Sequence, residues 1–152
     1  MWDTERFYSL LPQEIPRGKL HLFDETDSTN LVIRRMAISG APEGTAALAA
    51  RQSAGRGRLG RSFASPPGGG IYMSVLLRPD VPATDYALLT PCAGVCVCEA
   101  VEEVCGVRPG LKWVNDVLLG EKKICGILTE SVLGGATKGT FVVLGIGING
   151  NT

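Results

Sequence analysis

The chain has 152 residues, in which 15 Lys plus Arg balance 15 Asp plus Glu, and 45% of the residues are hydrophobic. This length and composition predict one globular domain and exclude a disordered segment. Zero net charge argues against a general nucleic-acid or anionic-membrane binder, which needs a basic surface. No apolar run approaches the ~20 residues of a membrane-spanning helix, and the N-terminus has no secretory signal pattern. We therefore expect a cytoplasmic protein.

The first half of the chain predicts a lead-in, two strands and a helix between the strands. These are residues 1–18, the strands 19–24 and 45–50, and the helix 31–39. The apolar pattern of the helix places Leu31 and Ile38 inward, and Gly40 with Pro42 ends it.

The second half predicts a long helix and several hairpins. In chain order we expect a strand at 71–77, a helix at 84–105, one or two strands in 111–119, and strands at 123–132 and 141–149, with turns at 120–122 and 133–139. Such an order predicts an α+β fold, a mixed and largely antiparallel sheet backed by helices on one face.

The cysteines are odd in number and contain no C-x-x-C pair. Cys92 and Cys96 are spaced i, i+4 in an apolar stretch, as core residues of a helix would be. We interpret them as buried, reduced thiols without a metal or redox role.

Residues 52–70 form a long segment without apolar periodicity, and long loops in a compact domain are usually functional. Its glycines and arginines alternate as Gly55, Arg56, Gly57, Arg58, Gly60 and Arg61. Glycines permit positive φ and close approach of backbone N–H groups to an anion, and arginines bind carboxylate or phosphate oxygens. The loop therefore indicates a phosphate cradle; a solvated surface loop or an RGG-like nucleic-acid segment are the alternatives.

A second polar cluster follows the long helix. Lys112, Asn115 and Asp116 precede a tight turn, and Lys122 and Lys123 follow it. A strand pair joined at such a turn brings these charges together, which suits a nucleotide phosphate with its Mg²⁺. The last strand contains Gly145 and Gly147, and glycines inside a strand often mark the close approach of a ligand.

Five segments together resemble the biotin–protein ligases. They are ETDSTN, RQSAGRGRLGRSFASPPGGGIYMSV, LKWVNDVLL, KKICGILTES and VVLGIGIN, over roughly residues 20–151. The resemblance implies a catalytic module related to lipoate–protein ligases and class II aminoacyl-tRNA synthetases. It implies ATP and Mg²⁺ as cofactors, biotin as substrate, and a biotin carboxyl carrier protein as the partner that accepts biotin on a lysine.

The resemblance also implies roles for individual residues. Catalysis is assigned to Lys123, Arg58, Asp116 and Lys112, and Asp116 is also the expected Mg²⁺ ligand. Biotin binding is assigned to Ser28, Thr29, Gln52, Gly55, Arg56, Lys123, Gly145 and Gly147. Nucleotide binding is assigned to Arg56, Arg58, Arg61, Phe63, Lys112, Asn115 and Asn149. We also expect residues 53–66 to be mobile without ligand and ordered over the adenylate, because a lid protects a mixed anhydride from water.

Alternative functions share this fold or part of it. A lipoate or octanoate ligase is one, although the GRGRLGR and KWVND segments favour biotin. A catalytically incomplete domain that binds biotin without turnover is another, and a nucleic-acid-binding module is a distant one. We expect residues 1–152 to be one catalytic domain, incomplete at its C-terminal side, without an N-terminal DNA-binding domain or a C-terminal β-barrel. An exposed last strand would favour self-association, so a homodimer is a further expectation.

Overall fold

The part of the chain that a computed structural model describes, residues 3–14, 19–134 and 139–150, contains three α-helices and seven strands. The elements are α1 (Thr4–Leu10), β1 (Leu20–Phe23), α2 (Thr29–Ile38), β2 (Ala46–Ala49), β3 (Gly70–Leu77), α3 (Leu89–Cys105), β4 (Gly110–Lys112), β5 (Asp116–Leu119), β6 (Lys122–Val132) and β7 (Phe141–Asn149). Short 3-10 helices span Arg58–Gly60 and Ala83–Leu88. Residues 1–2, 15–18 and 135–138, which belong to the predicted lead-in and second turn, lie outside the described residues.

The seven strands form one sheet in the order β1-β2-β3-β7-β6-β5-β4. Only β1 and β2 are parallel, and every other neighbouring pair is antiparallel. This confirms the predicted α+β class with a mixed, largely antiparallel sheet. The strand β7 lies between β3 and β6 and is central, so the premise of an exposed last strand is wrong, and the homodimer stays a prediction.

The two long helices pack on opposite faces of the sheet. Val32, Ile33 and Ala37 of α2 pack with Leu76 and Val143. A second cluster joins Ala93 and Val97 of α3 to Val117, Cys125 and Ile127. Leu76 pairs with Val143 of β7, and Ile127 pairs with Ile146 of β7. Val143 and Ile146 are three residues apart and therefore point to opposite faces of the sheet. The two clusters thus lie on opposite sides of β7. The prediction that helices cover one face is therefore wrong.

The buried faces of α2 and α3 also differ from the predicted ones. Ile38 is 49% exposed, because the inward stripe of α2 runs through Ile33 and Ala37 instead. In α3, Cys92 and Cys96 are exposed, so their prediction as core residues is wrong. The i, i+4 spacing identifies a helical stripe but not the side that faces the sheet. The inward stripe of α3 consists of Ala93, Gly94 and Val97.

Local chemistry accounts for several helix boundaries. The predicted helix 84–105 divides into a 3-10 segment and α3, which starts at Leu89. Pro91 has no N–H to donate and is tolerated only in the first turn of an α-helix, so α3 cannot start much earlier. The helix α3 ends at Gly106, whose φ of 69° is favourable for glycine. Among the described residues, no helix has the length and apolarity needed to cross a membrane.

Truncating Ile33 tests the observed orientation of α2. Ile33 is fully buried, so Ile33→Ala should lower the free energy of unfolding by about 2–5 kcal/mol through lost burial and a cavity. Ile38→Ala is the matched control on the same helix, and it should cost less than about 1 kcal/mol. Urea unfolding followed by circular dichroism measures both. Equal losses would contradict the orientation.

Candidate functional site

The arginine-glycine loop (residues 52–66) closes over the sheet face that carries α2. It folds back on itself, because Phe63 N–H donates to the Gly55 carbonyl at 2.8 Å and Gly57 N–H donates to the Arg61 carbonyl at 2.7 Å. The side chain of Tyr72 fixes the far end of the loop by donating to the Pro66 carbonyl at 3.1 Å. The loop has a defined backbone path across the sheet.

Of the loop glycines Gly55, Gly57 and Gly60, only Gly60 has a positive φ, of 74°. Its neighbour Leu59 also adopts the left-handed conformation, with φ 56°, and its side chain is 90% exposed. Gly55 is needed for space instead, because a Cβ there would collide with the Phe63 carbonyl oxygen. Neither Gly55 nor Gly57 uses the positive φ that glycine permits.

The loop covers a narrow inner cleft with a volume of about 30 Å³, part of it open to solvent. The inner cleft is lined by Ser28, Thr29, Asn30, Gln52, Arg56, Phe63, Met73, Gly126, Leu128, Gly145, Ile146 and Gly147. It thus combines hydroxyl, amide and guanidinium groups with an apolar floor.

An outer cleft of about 240 Å³ adjoins the inner one. It is lined by Gly57, Arg58, Leu59, Arg61, Ser62, Phe63, Asn115, Asp116 and Lys123. Three of these side chains are cationic and one is anionic, so the cleft is electropositive. Phe63 lines both clefts, and its ring contacts Tyr72 edge to face with centroids 6.4 Å apart. The ring therefore forms a wall between the two clefts.

Two glycines of the sheet make room for this wall and for α2. A Cβ at Gly147 would lie 2.6 Å from Cζ of Phe63, and a Cβ at Gly145 would collide with the Asn30 amide. Both positions line the inner cleft, but the side chains that require glycine there belong to the protein itself. A ligand is not needed to explain them.

Gln52 connects the loop to the start of α2. Its Oε1 accepts from the Thr29 backbone N–H at 2.8 Å and lies 3.1 Å from Thr29 Oγ1. Its Nε2 donates to Ser65 Oγ at 2.8 Å. Ser28 is 2% exposed and stands at the N-cap of α2, where it also lines the inner cleft.

Arg56 reaches into the inner cleft and forms an ion pair with Glu130, with Nη2 and Oε1 3.1 Å apart. The other carboxylate oxygen of Glu130 accepts from Asn30 Nδ2 at 2.7 Å. Asn30 Oδ1 in turn accepts from the fully buried Ser74 hydroxyl at 2.6 Å. A continuous polar network therefore runs from the loop, through β6 and β3, to the N-terminus of α2.

A β-bulge brings Lys123 to the same side of the sheet. Val117 pairs with Cys125 and Leu118 with Lys123, so Ile124 is an extra residue in β6. Ile124 packs in the α3 cluster with Cys125, whereas Lys123 Nζ forms an ion pair with Asp116 Oδ1 at 2.7 Å. The same Nζ lies 3.2 Å from where a Cβ would sit on Gly126. In an uninterrupted strand Lys123 would share the face of Cys125; the bulge redirects its side chain to the clefts.

The remaining predicted site residues surround the outer cleft or lie behind it. Arg58 Nη1 donates to Asn115 Oδ1 at 3.0 Å, which closes the loop onto the β4–β5 turn. Lys112 is exposed and pairs across that turn with Asp116. Asn149 Nδ2 donates to the Lys123 carbonyl at 3.4 Å, but Asn149 lines neither cleft.

Comparison with known proteins assigns the family. Residues 22–149 match the profile of the Biotin/lipoate A/B protein ligase family. The chain belongs to this family. The resemblance to biotin–protein ligases that the sequence motifs predicted is confirmed, since the relatives and solved structures that match carry that name.

Individual relatives cover most of the chain. The bifunctional ligase/repressor BirA of Bacillus subtilis is 40% identical over 141 residues, which are 93% of this chain and 43% of that protein. The biotin–[acetyl-CoA-carboxylase] ligase of Mycobacterium tuberculosis is 40% identical over 136 residues, 86% of this chain and 49% of that protein. The structure of an Aquifex aeolicus biotin protein ligase with biotin and ATP superposes with a TM-score of 0.69 at 39% identity, covering 88% of this chain and 53% of that one. The chain thus spans about half the length of these relatives.

Some polar groups of this family member were not predicted from its sequence. Glu130, Asn30 and Ser74 form the centre of the network, yet none was assigned a site role. A signal for Glu130 exists, because Gly126, Leu128 and Glu130 alternate on one face of β6, and a carboxylate on a largely apolar strand face needs a partner.

Asp27 fixes the entry into α2 just before Ser28. It accepts a bidentate contact from Arg35, at 2.8 and 3.1 Å, and a 2.7 Å bond from the Ser28 N–H. The Arg35 hydrogen bonds, followed by the Ser28 bond, hold the pKa of Asp27 below its ordinary value of 3.8. The folded state therefore favours the ionised carboxylate.

This lowered pKa predicts a pH-dependent stability contribution. Because the pKa of Asp27 is lower in the folded state than in the unfolded state, the ionised carboxylate stabilises the fold above pH ~4. This stabilisation is lost as the pH falls further. Asp27→Asn should therefore be less stable than wild type at pH ~7, and the difference should shrink at pH ~3. Urea unfolding at both pH values measures it, with Glu25→Gln, another exposed arginine-paired carboxylate, as control. A difference that stays constant with pH would contradict the role of the ion pair.

Proposed function

We propose that the chain activates biotin with ATP to biotinyl-5′-AMP and then transfers biotin to a lysine of a carboxylase's biotin carboxyl carrier protein. The observation that carries this proposal is the pair of adjoining clefts on one sheet face, one polar and small, the other electropositive. Such a pair suits two substrates whose reacting groups must meet beside the Phe63 wall.

The inner cleft suits the head group of biotin. A ureido ring has two N–H donors and one carbonyl acceptor, and the hydroxyl and amide groups of Ser28, Thr29, Asn30 and Gln52 can match both kinds. The dithiolane ring of lipoate offers no N–H donor, so it would leave these groups without partners. This polarity favours biotin over lipoate as the substrate.

The outer cleft suits the triphosphate of ATP. In the first step a biotin carboxylate oxygen bonds to the α-phosphorus, the bond between the α-phosphorus and the bridging oxygen breaks, and pyrophosphate leaves. Both reactants are anions, so their approach requires cations. Arg58, Arg61 and Lys123 line this cleft and supply that charge.

Lys123 is the residue best placed to act on both substrates. Its ammonium lies against Gly126, which lines the inner cleft, while Lys123 itself lines the outer one. It can therefore contact the carboxylate oxygens of biotin and the α-phosphate together. In the second step the acceptor lysine attacks the acyl carbon, a C–N bond forms, AMP leaves and the amine releases a proton.

The donor set is compatible with a Mg²⁺ ion held mainly by the phosphates of ATP. Asp116 Oδ1 is buried and forms an ion pair with Lys123, without a hydrogen bond in the described part of the chain, and Asp116 itself lines the outer cleft. No cluster of three or more His, Cys, Asp or Glu exists among the described residues. Mg²⁺ usually takes one or two carboxylates plus substrate phosphates, so Asp116 alone would suffice; the ion would neutralise phosphate charge.

The acceptor and the location of the reaction follow from the same proposal. The Mycobacterium tuberculosis relative is named for acetyl-CoA carboxylase, and a carrier domain of that kind is the acceptor we propose. The cysteines of this chain are free, and burial raises the pKa of Cys125 to about 12, so this thiol stays protonated and unreactive. Free thiols agree with the cytoplasm as the compartment.

Adenylate formation tests the proposal directly. The purified chain is incubated with α-labelled ATP, Mg²⁺ and either biotin or lipoate, and the nucleotides are separated by chromatography. We expect a labelled adenylate that depends on biotin. A lipoate-dependent adenylate would instead identify a lipoate ligase, and biotin binding without any adenylate would identify a binding domain without turnover.

Replacing Lys123 tests its part in this reaction. Lys123→Ala should lower the rate of adenylate formation about 100- to 1,000-fold, the usual loss when one group that stabilises developing charge is removed. Lys122→Ala is the matched control, because Lys122 is the exposed neighbour and lines neither cleft. Near-normal adenylate yield from a folded Lys123→Ala chain would refute the role.

A further inference from the structure

Glu130 stands where the arginine-glycine loop meets the floor of the inner cleft, although it is not itself one of the lining residues. Its side chain is only 27% exposed, and both of its oxygens are occupied, one by Arg56 and one by Asn30. A carboxylate accepts hydrogen bonds and donates none when ionised. Its presence therefore dictates how its neighbours must be oriented.

The orientation propagates through the network in one direction. Because Glu130 can only accept, the Asn30 amide must turn its NH₂ toward Glu130 and its oxygen toward Ser74. That amide oxygen in turn takes the single proton of the Ser74 hydroxyl. The Thr29 hydroxyl lies 2.7 Å from Ser74 Oγ and 3.1 Å from Gln52 Oε1, so its own proton goes to one of these two oxygens.

The consequence reaches the ligand side of the cleft. Both hydroxyl protons are used inside the protein, which leaves Thr29 Oγ1 with lone pairs only. A ligand that meets Thr29 must then bring an N–H or O–H donor, as a ureido group does. Without the carboxylate, the Asn30 amide can turn over and donate to Ser74. Ser74 then donates to Thr29 Oγ1, which occupies a lone pair there and directs the Thr29 proton to Gln52 or to the ligand.

We propose that Glu130 is a positioning residue that fixes the Asn30 amide, and through Ser74 makes Thr29 Oγ1 an acceptor toward the ligand, while it holds Arg56 beside the same cleft. This inference rests on the proposed function, because it takes biotin as the ligand. It assigns selectivity for a hydrogen-bond donor to a residue that does not itself line the cleft.

An exchange of amide and carboxylate tests the proposal. Glu130→Gln places an amide NH₂ against either the Asn30 NH₂ or the Arg56 guanidinium, so the network must reorient. In the double variant Asn30→Asp/Glu130→Gln, the new carboxylate accepts from Ser74 and from the new amide, whose oxygen still accepts from Arg56. The bonds from Ser74 and Arg56 then keep their direction, only the bond between positions 30 and 130 is reversed, and the negative charge moves from position 130 to position 30.

Biotin binding to the purified chain is measured by isothermal titration calorimetry for each variant, with thermal unfolding as a check of the fold. Glu130→Gln should weaken biotin binding about tenfold or more, because a buried polar group loses its match. The double variant should recover to within about threefold of wild type, since every hydrogen bond is restored. Glu25→Gln, which breaks an exposed pair with Arg51, should change binding less than about twofold.

The outcomes separate this inference from the proposed function. No biotin binding by the wild-type chain overturns both. Wild-type binding together with unchanged affinity in Glu130→Gln overturns the inference alone. A folded double variant that fails to recover binding also overturns it, because the charge at position 130 and not the direction of the Ser74 hydrogen bond would then be what matters. If Glu130→Gln does not fold, the double variant decides alone.

Discussion

The pairing register of β3, β7, β6 and β5 is the constraint on which both clefts depend. On the face of α2 this register aligns Tyr72, Gly147, Gly126 and Asp116 in one cross-strand row. The two glycines in the middle leave a channel that Phe63 partly fills, and the polar ends of the row carry the loop and the lysine. A shift by one residue would turn Glu130 and Asp116 toward the apolar α3 face, where a carboxylate has no partner.

The polar network connects the loop to the strands and to α2, and so positions the residues around the inner cleft. Arg56, on a loop, is held by Glu130, on a strand, and Glu130 is connected through Asn30 and Ser74 to the start of α2. Sites on loops become well defined when strands and helices support them in this way. The direction of the Lys123 side chain is likewise set by strands, because it depends on the bulge where β5 pairs with β6.

The sequence predicted the fold class, the strands and the segments that carry the clefts, because alternation and turn residues are local signals. It did not predict which helical face is buried, as Ile38 and Cys92 show, since the i, i+4 spacing is the same on either side. It also did not predict the network around Glu130 or the redirection of Lys123. These depend on the pairing of residues that are far apart in the chain, such as Asn30 with Glu130, and on a bulge that a single strand does not reveal.

Amide hydrogen exchange of the purified chain tests the central claim, that biotin fills the inner cleft and ATP the outer one beneath the loop. Exchange is followed by mass spectrometry without ligand, with biotin, with ATP and Mg²⁺, and with all three. The account predicts slower exchange around Thr29 and Gln52 with biotin, and the strongest slowing across residues 53–66 when biotin and ATP are both present. Exchange in 53–66 that is unchanged with both ligands would contradict it.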